Sequence, residues 1–445
     1  MNARSCAPPP GRPEVRVAAA GILIALMVLL TLVSDIVPTA MPVWVAGLTG
    51  WCAVFLLLPG VKKSQLYQTS LITLAGVALL ITGQVQNDHA LWLQSIGNNA
   101  GLVSMLASVA FLRLIALPAG EARNVPLPVG FKAFVKTLAG ISLFGSVINL
   151  SAPILFADRL HRHDALGRLA SQSITRVFTS TSTWSPFFGG MAAVLTSVPD
   201  MRPGFVILTC LPFAFTGFLV VLLEVRLRYW REVQTFRGYP VNFTNLWIPA
   251  ALASMILLLT SVAPDWSVLT HISLSALILT IVVLIRRERG NSGKTLCRFV
   301  VEGLPAMINE LQLFLAAGVL AAGLATVIDG SFVPASSVFT ASSAALLLGA
   351  IIILAVAGVH PVVLISGATP LVMALNPAPD LLAVCYLLAW GLGTCVSPLS
   401  GTHLTFQGRY GIPGWKGAYW NWPYVVVMYA VAVGFLFLVA GLVQG

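Results

Sequence analysis

Thr183-Trp184-Ser185-Pro186-Phe187-Phe188-Gly189 and Cys395-Val396-Ser397-Pro398-Leu399-Ser400-Gly401 share the pattern Ser-Pro-x-x-Gly, each inside an otherwise apolar stretch. A proline removes one backbone donor and collides with the preceding helical turn, and a glycine tolerates conformations that other residues avoid. The two motifs therefore predict helices broken in mid-course, over residues 169–198 and 381–408. Two further apolar runs are interrupted in the same manner: 137–157 by Asn149, Ser151 and Pro153, and 336–375 by Gly358, His360 and Pro361.

Composition decides what these breaks mean. The chain has 445 residues, 58% of them hydrophobic and only 9% charged, with a mean hydropathy of +0.91. Soluble domains carry roughly 25% charged residues. One large soluble core is excluded, as are disorder and a nucleic-acid-binding surface, which needs clustered solvated cations. A polytopic all-α membrane protein remains. Membrane helices need about 20 mainly apolar residues, and spans are expected at 17–34, 39–60, 67–84, 91–117, 204–225, 244–263, 267–285, 299–328 and 420–443. Irregular backbone in lipid must be buried in protein or line a wet cavity, so the four breaks mark an interior. The six cysteines show no metal-ligand spacing and read as packing residues. Arg4, Arg12 and Arg16 precede the first apolar run, which lacks a small-residue cleavage site before Asp35 and reads as a retained helix.

The charges set the topology. With the N-terminus inside, 137–157 and 336–375 as re-entrant hairpins, and 169–198 and 381–408 as broken spans, all 25 basic residues except Arg176 and Arg202 fall in inner segments. Asp35, Asp88, Asp200, Asp265, Asp329 and Asp380 fall outside with Arg202. Treating 137–157 as a plain span would put Arg159, Arg162 and Arg168 outside and reverse every later loop. The positive-inside rule selects the hairpins. The expectation is eleven spans, two opposed hairpins, a cytoplasmic N-terminus and an external C-terminus, in a cytoplasmic (inner) membrane.

Each hairpin precedes a Ser-Pro-x-x-Gly break at a similar distance, 34 residues from Ser151 to Ser185 and 37 from His360 to Ser397. One hairpin enters from inside and the other from outside, which is the pattern of an inverted repeat with a binding site near the midplane. The chain divides into an N-terminal helical pair (1–66), a first repeat (67–238), a linking helix (239–266) and a second repeat (267–445).

This layout resembles the ion transporter superfamily, whose best-known members carry di- and tricarboxylates. The resemblance is most specific in Gly393 to Gly408 (GTCVSPLSGTHLTFQG) and in Thr183 to Gly190. The hairpin tips, Asn149-Leu150-Ser151-Ala152-Pro153 and Gly358-Val359-His360-Pro361, lack the Ser-Asn-Thr motif of the sodium-coupled dicarboxylate branch. The resemblance implies an elevator-like movement of the hairpin-bearing bundle against a homodimeric scaffold.

A broken helix exposes unpaired N–H groups on one half and C=O groups on the other, so it suits anions and cations respectively. Short hydroxyls fit such places. Substrate contacts are expected from Asn149, Ser151, Ser182, Thr183, Ser185, Thr394, Ser397, Ser400, Thr402 and His403. Charges at depth are functional candidates because each is costly to insert. Arg176, eight residues past Arg168 and so about 12 Å in, is expected to touch the anionic substrate, with an acidic side chain as its alternative partner. Glu310, about 18 Å past Arg298 by the same rise, would carry a coupling proton together with His360. A fixed pair between Arg176 and Glu310 is the structural alternative. Glu224 and Arg228 form an i,i+4 surface pair.

The expected function is secondary active transport of a small, anionic organic solute, coupled to a proton or to sodium, with no cofactor, metal or nucleic acid involved. A second reading makes the chain the large membrane subunit of a system fed by an extracytoplasmic binding protein. A remote third is a membrane-embedded enzyme or scaffold; no nucleophile–base set supports it.

Overall fold

The computed structural model of the chain describes residues 14–87, 91–116, 127–161, 165–238, 247–328 and 338–444. Expectations placed on Arg4, Arg12, Asp88, Arg123, Arg162, Asp329, residues 244–246 and the start of the 336–375 hairpin lie outside them. Among the described residues the regular elements are helical, and one isolated bridge pairs Val129 with Arg237. Among these described residues, nine helical stretches are long and apolar enough to cross a membrane by length and composition. The all-α polytopic class read from the sequence is the class of the structure.

The chain begins with α1 (Val15–Ile36), α2 (Val43–Leu57) and α3 (Lys63–Asn87). The expected span 91–117 is itself divided into α4 (Trp92–Gly97), α5 (Ala100–Ala110) and α6 (Arg113–Ala116). Its first interruption, Asn98-Asn99, is stabilised from outside: the two side-chain amides donate to the Gly318 and Phe314 carbonyls at 3.0 and 2.7 Å.

The first hairpin is α7 (Phe131–Ile148) and α8 (Ser151–His161), turning at Asn149-Leu150, where Asn149 has φ +51°. Asparagine is among the few residues that adopt this left-handed conformation readily. The first broken helix is α9 (Arg168–Thr181) and α10 (Gly189–Ser197), followed by α11 (Pro203–Arg228) and α12 (Trp230–Gln234). Next come α13 (Trp247–Val262), α14 (Val268–Glu288), α15 (Ser292–Arg298) and α16 (Ile308–Val327). The span expected over 299–328 is helical from Phe299 to Val327 but irregular at its start. Gly303 and Pro305 weaken the ladder, and a π-turn (Phe299–Gly303) and a 3₁₀ turn (Leu304–Met307) precede α16.

The second hairpin is α17 (Ala341–Val356) and α18 (Pro361–Met373), turning through Gly358 at φ +98°. The second broken helix is α19 (Pro379–Val396) and α20 (Gly401–Tyr410), and α21 (Gly414–Gln444) ends the chain. Both breaks fall on the Ser-Pro-x-x-Gly motifs. Packing repeats with the element order: α7 lies on α8 and α9, and α9 on α11, just as α17 lies on α18 and α19, and α19 on α21. The halves also exchange contacts, α10 with α18 and α8 with α20.

Contacts between helix ends and loops distant in sequence join segments that the charge count assigns to one face. Asp158 pairs with Arg409 (2.9 Å), Asp380 with Arg202 (2.6 Å), and Asp35 accepts from the Ser267 N–H (2.9 Å). The remaining helices form a frame in which α3 and α16 run side by side in the same direction. Gly76 faces Leu320 and Gly323 so closely that a Cβ on Gly323 would stand 2.4 Å from the Gly76 carbonyl oxygen. Small residues permit this approach, which lipid-immersed helices use for association.

Candidate functional site

Both hairpin turns and both helix breaks meet at one cavity of about 190 Å³. Asn149, Leu150 and Ser151 come from the first turn and His360 from the second; Ser182, Phe188 and Gly189 come from the first break, and Thr394, Ser400, Gly401 and Thr402 from the second. Four helices consequently begin at its wall: α8, α10, α18 and α20. The first turn of a helix presents N–H groups without intrahelical acceptors, equivalent to about +0.5 of a charge. Two of these ends are capped from within. Ser400 Oγ accepts from the His403 N–H at 3.4 Å, and His360 Nδ1 accepts from the Val362 N–H at 3.2 Å. Phe188, which precedes α10, provides no such cap.

The frame supplies the facing wall through Leu106, Val109 and Arg113, with Met307, Glu310 and Phe314 around the start of α16. Glu310 lies in the first turn of α16, where a carboxylate complements the helix dipole. Arg113 and Glu310 therefore bring opposite charges to the same chamber. Aromatic rings close its sides. Trp390 stacks on Phe314 with centroids 6.2 Å apart and meets the His360 ring edge-on at 5.4 Å. Gly190 is needed here, since a Cβ on it would lie 2.8 Å from the Trp390 ring.

A second compartment of about 370 Å³ shares Leu150, Glu310, Phe314, His360 and Gly401 with the first and reaches Lys62 and Arg409. Glu310 and His360 stand at the junction of the two. Gln65 and Gln312 also line the outer compartment, and each has a buried side-chain oxygen without a hydrogen-bond partner.

Asn149, Ser151, Ser182, Thr394, Ser400, Thr402, Glu310 and His360 thus line the cavity, and five sequence candidates do not. Thr183 is buried with its hydroxyl donating to the Ser180 carbonyl (2.8 Å) and its methyl against Gly391, packing α9 on α19. Ser185 ties the first break to α7 by donating to the Ser146 carbonyl at 2.5 Å. Ser397 is fully buried and its hydroxyl is unpartnered. His403, 2% exposed, points back into the break. Arg176, 1% exposed, pairs with Glu224 on α11 and not with Glu310, and it also donates to Asn421 Oδ1 (3.0 Å) and the Trp420 carbonyl (2.8 Å). Glu224 keeps its expected partner Arg228 at 3.6 Å.

Arg113, Thr179, Phe314 and Trp390 are wall residues that sequence reasoning passed over. Arg113 sits at a span end and reads as a cytoplasmic anchor. Trp390 gave a usable signal, being a tryptophan inside a span, away from the interfaces where that residue concentrates.

No protein-family model and no curated protein matches the chain. Among solved structures, the YdaH transporter of Alcanivorax borkumensis, described as having an unusual topology, aligns with 96% of this chain and 99% of its own. The TM-score is 0.41 and the sequence identity 14%. The functional reading accordingly rests on the residues of the site.

Proposed function

We propose that the chain is a secondary active transporter for a small anionic organic solute, held between the hairpin-bearing bundle and the frame. One observation carries this reading: four helix N-termini, two from each half, open on a single cavity that also holds Arg113. Helix N-termini and a guanidinium both favour anions, and partly buried dipole contacts contribute up to about 2 kcal/mol each. The cavity lies where the two groups of helices face one another, which suits an elevator-like displacement of the bundle within a dimer. The outer compartment is a route to the inner one from the face that carries Lys62 and Arg409. Glu310 and His360 at the junction are placed to couple a proton to solute occupancy. The layout keeps its resemblance to the ion transporter superfamily within this proposal.

The test is a thermal-shift panel of carboxylates, sulfonates and phosphonates on the purified protein, since a ligand bound only by the folded state raises its stability. Acids that stabilise it are then offered to proteoliposomes under imposed proton or sodium gradients. Stabilisation by cationic solutes only, or uptake indifferent to both gradients, would overturn the proposal.

A further inference from the structure

Arg176, Asn421 and His403 form a buried chain of hydrogen bonds that joins the first broken helix to the second. Arg176 Nε donates to Asn421 Oδ1 at 3.0 Å, Asn421 Nδ2 lies 3.3 Å from His403 Nε2, and His403 Nδ1 lies 2.8 Å from the Ser397 carbonyl oxygen. All three side chains are 2% exposed or less. The chain has only one possible sense. A guanidinium can only donate, so Asn421 must present its oxygen to Arg176 and its amide N–H to His403. His403 Nε2 must then accept. Its Nδ1 must carry the proton, because the carbonyl of Ser397 can only accept. Donor and acceptor chemistry alone therefore fixes His403 as the neutral Nδ1–H tautomer.

The far end of this chain grips the second break at both edges. Nδ1 of His403 is also 3.1 Å from Ser400 Oγ, so the ring spans from Ser397, the first residue of the break, to Ser400, which caps α20. Ser400, Gly401 and Thr402 line the cavity. We infer that Asn421 and His403 are positioning residues, which hold the start of α20 in register with Arg176 on α9, so that the two broken helices present their N-termini as one unit. They reach the cavity only through the break. The relay itself is independent of what the cavity binds; its consequence for a solute rests on the transporter reading above.

Asn421→Asp makes a specific signature. An aspartate still accepts from Arg176 but has no proton to give, so the bond to His403 survives only if Nε2 gains one. The charged groups in reach are Arg176 and Arg168 on α9, the one over the Tyr424 ring (5.1 Å) and the other over the Trp420 ring (5.8 Å), and Glu224 on α11. On α21, Lys416 is drawn to the Trp420 ring (5.3 Å). On α8, Asp158 is engaged by Arg409 and Tyr410 at the other end of α20. Arg176 with Glu224, and the introduced carboxylate with a protonated His403, would then be two balanced pairs.

The experiment is nitrogen NMR of full-length protein labelled at histidine and leucine, in lipid nanodiscs, with the His403 signals assigned through the bond to Leu404, the one His-Leu step in the sequence. Wild type is expected to show one protonated ring nitrogen, Nδ1, at neutral pH, and Asn421→Asp two. Asn421→Leu is expected to keep Nδ1 protonated against the Ser397 carbonyl while Nε2 loses its donor, so only the Nε2 signal shifts. A wild-type His403 protonated at Nε2 would overturn the inference even if no variant folds, and so would an Asn421→Asp spectrum identical to wild type. Neither result depends on solute or gradient, so failure here is distinct from failure of the transporter proposal.

Discussion

Gly323→Ala is expected to destabilise the frame although it puts a better helix former into a helix. The added methyl would stand 2.4 Å from the Gly76 carbonyl oxygen and 2.9 Å from Leu79 Cβ. Ordinary carbon contacts lie at about 3.5–4.0 Å. The obstacle is backbone, so relief requires α3 and α16 to part by about 1 Å, and a gap of that size forfeits a quarter to a half of each dispersion contact across it. Overpacking of this kind typically costs about 1–3 kcal/mol, and relieving a helical glycine returns about 1 kcal/mol. Gly434→Ala on α21 isolates the second effect, because nothing lies within 4 Å of its would-be Cβ. The two variants make the same chemical change with opposite expected sign, separated by about 1–3 kcal/mol. Denaturant titration or thermal unfolding in matched nanodiscs reads the difference. A Gly323→Ala protein as stable as Gly434→Ala would refute the close parallel approach of α3 and α16.

Arg113→Gln is expected to weaken binding of whichever acids stabilise the protein by about 10- to 150-fold, the loss of one charged hydrogen bond of about 1.5–3 kcal/mol, measured by calorimetry; unchanged affinity would remove Arg113 from the site. Thr394→Val is expected to change that affinity by no more than about twofold, since the Thr394 hydroxyl is satisfied by the Trp390 carbonyl at 2.8 Å. Arg176→Met is expected to cost about 3 kcal/mol of stability, the lower end of the range for breaking a buried pair, because Glu224 is 15% exposed and can hydrate. A double-mutant cycle with Glu224→Gln in unfolding experiments checks it, and additive single effects would show that the pair is not coupled.

The fold was legible where local chemistry left no alternative. A proline beside small hydroxylated residues in an apolar run cannot continue a helix, and both breaks lie where Ser185-Pro186 and Ser397-Pro398 put them. Asn98-Asn99 and Gly303 with Pro305 carried the same kind of signal, hidden inside runs long enough to count as whole spans. The cavity was legible for residues on the breaks and turns, since these have backbone to satisfy and must face protein or water. It was not legible for Arg113, whose place on the wall depends on how α5 and α6 stand against α16, and no local pattern encodes that. Arg176 misled for a related reason. Its depth marked it as expensive, but its partner Glu224 lies 48 residues away and already had a nearer explanation in Arg228. Asn421 sits between Trp420 and Trp422, where aromatics draw attention to the interface and away from a buried amide.

The two halves share their layout but not their chemistry, and the difference bears on where an anion would sit under the proposed function. On α20 the leading N–H of His403 is occupied by Ser400, and on α18 that of Val362 by His360. An N–H that already has a protein acceptor has less to offer a ligand, so these two ends hold the site's shape. α10 differs. Its N-cap, Phe188, has no side-chain acceptor, and its first two residues are glycines against which the Phe314 and Trp390 rings pack. The first break is also the longer one, running through residues 182–188 against 397–400, and is pinned to the hairpin through Ser185 rather than gripped by a ring. An anionic group entering the cavity would therefore meet the start of α10 at Gly189, beside the Phe314 and Trp390 rings. Set beside α18 and α20, α10 is the end whose cap residue gives no side-chain acceptor to its leading N–H groups.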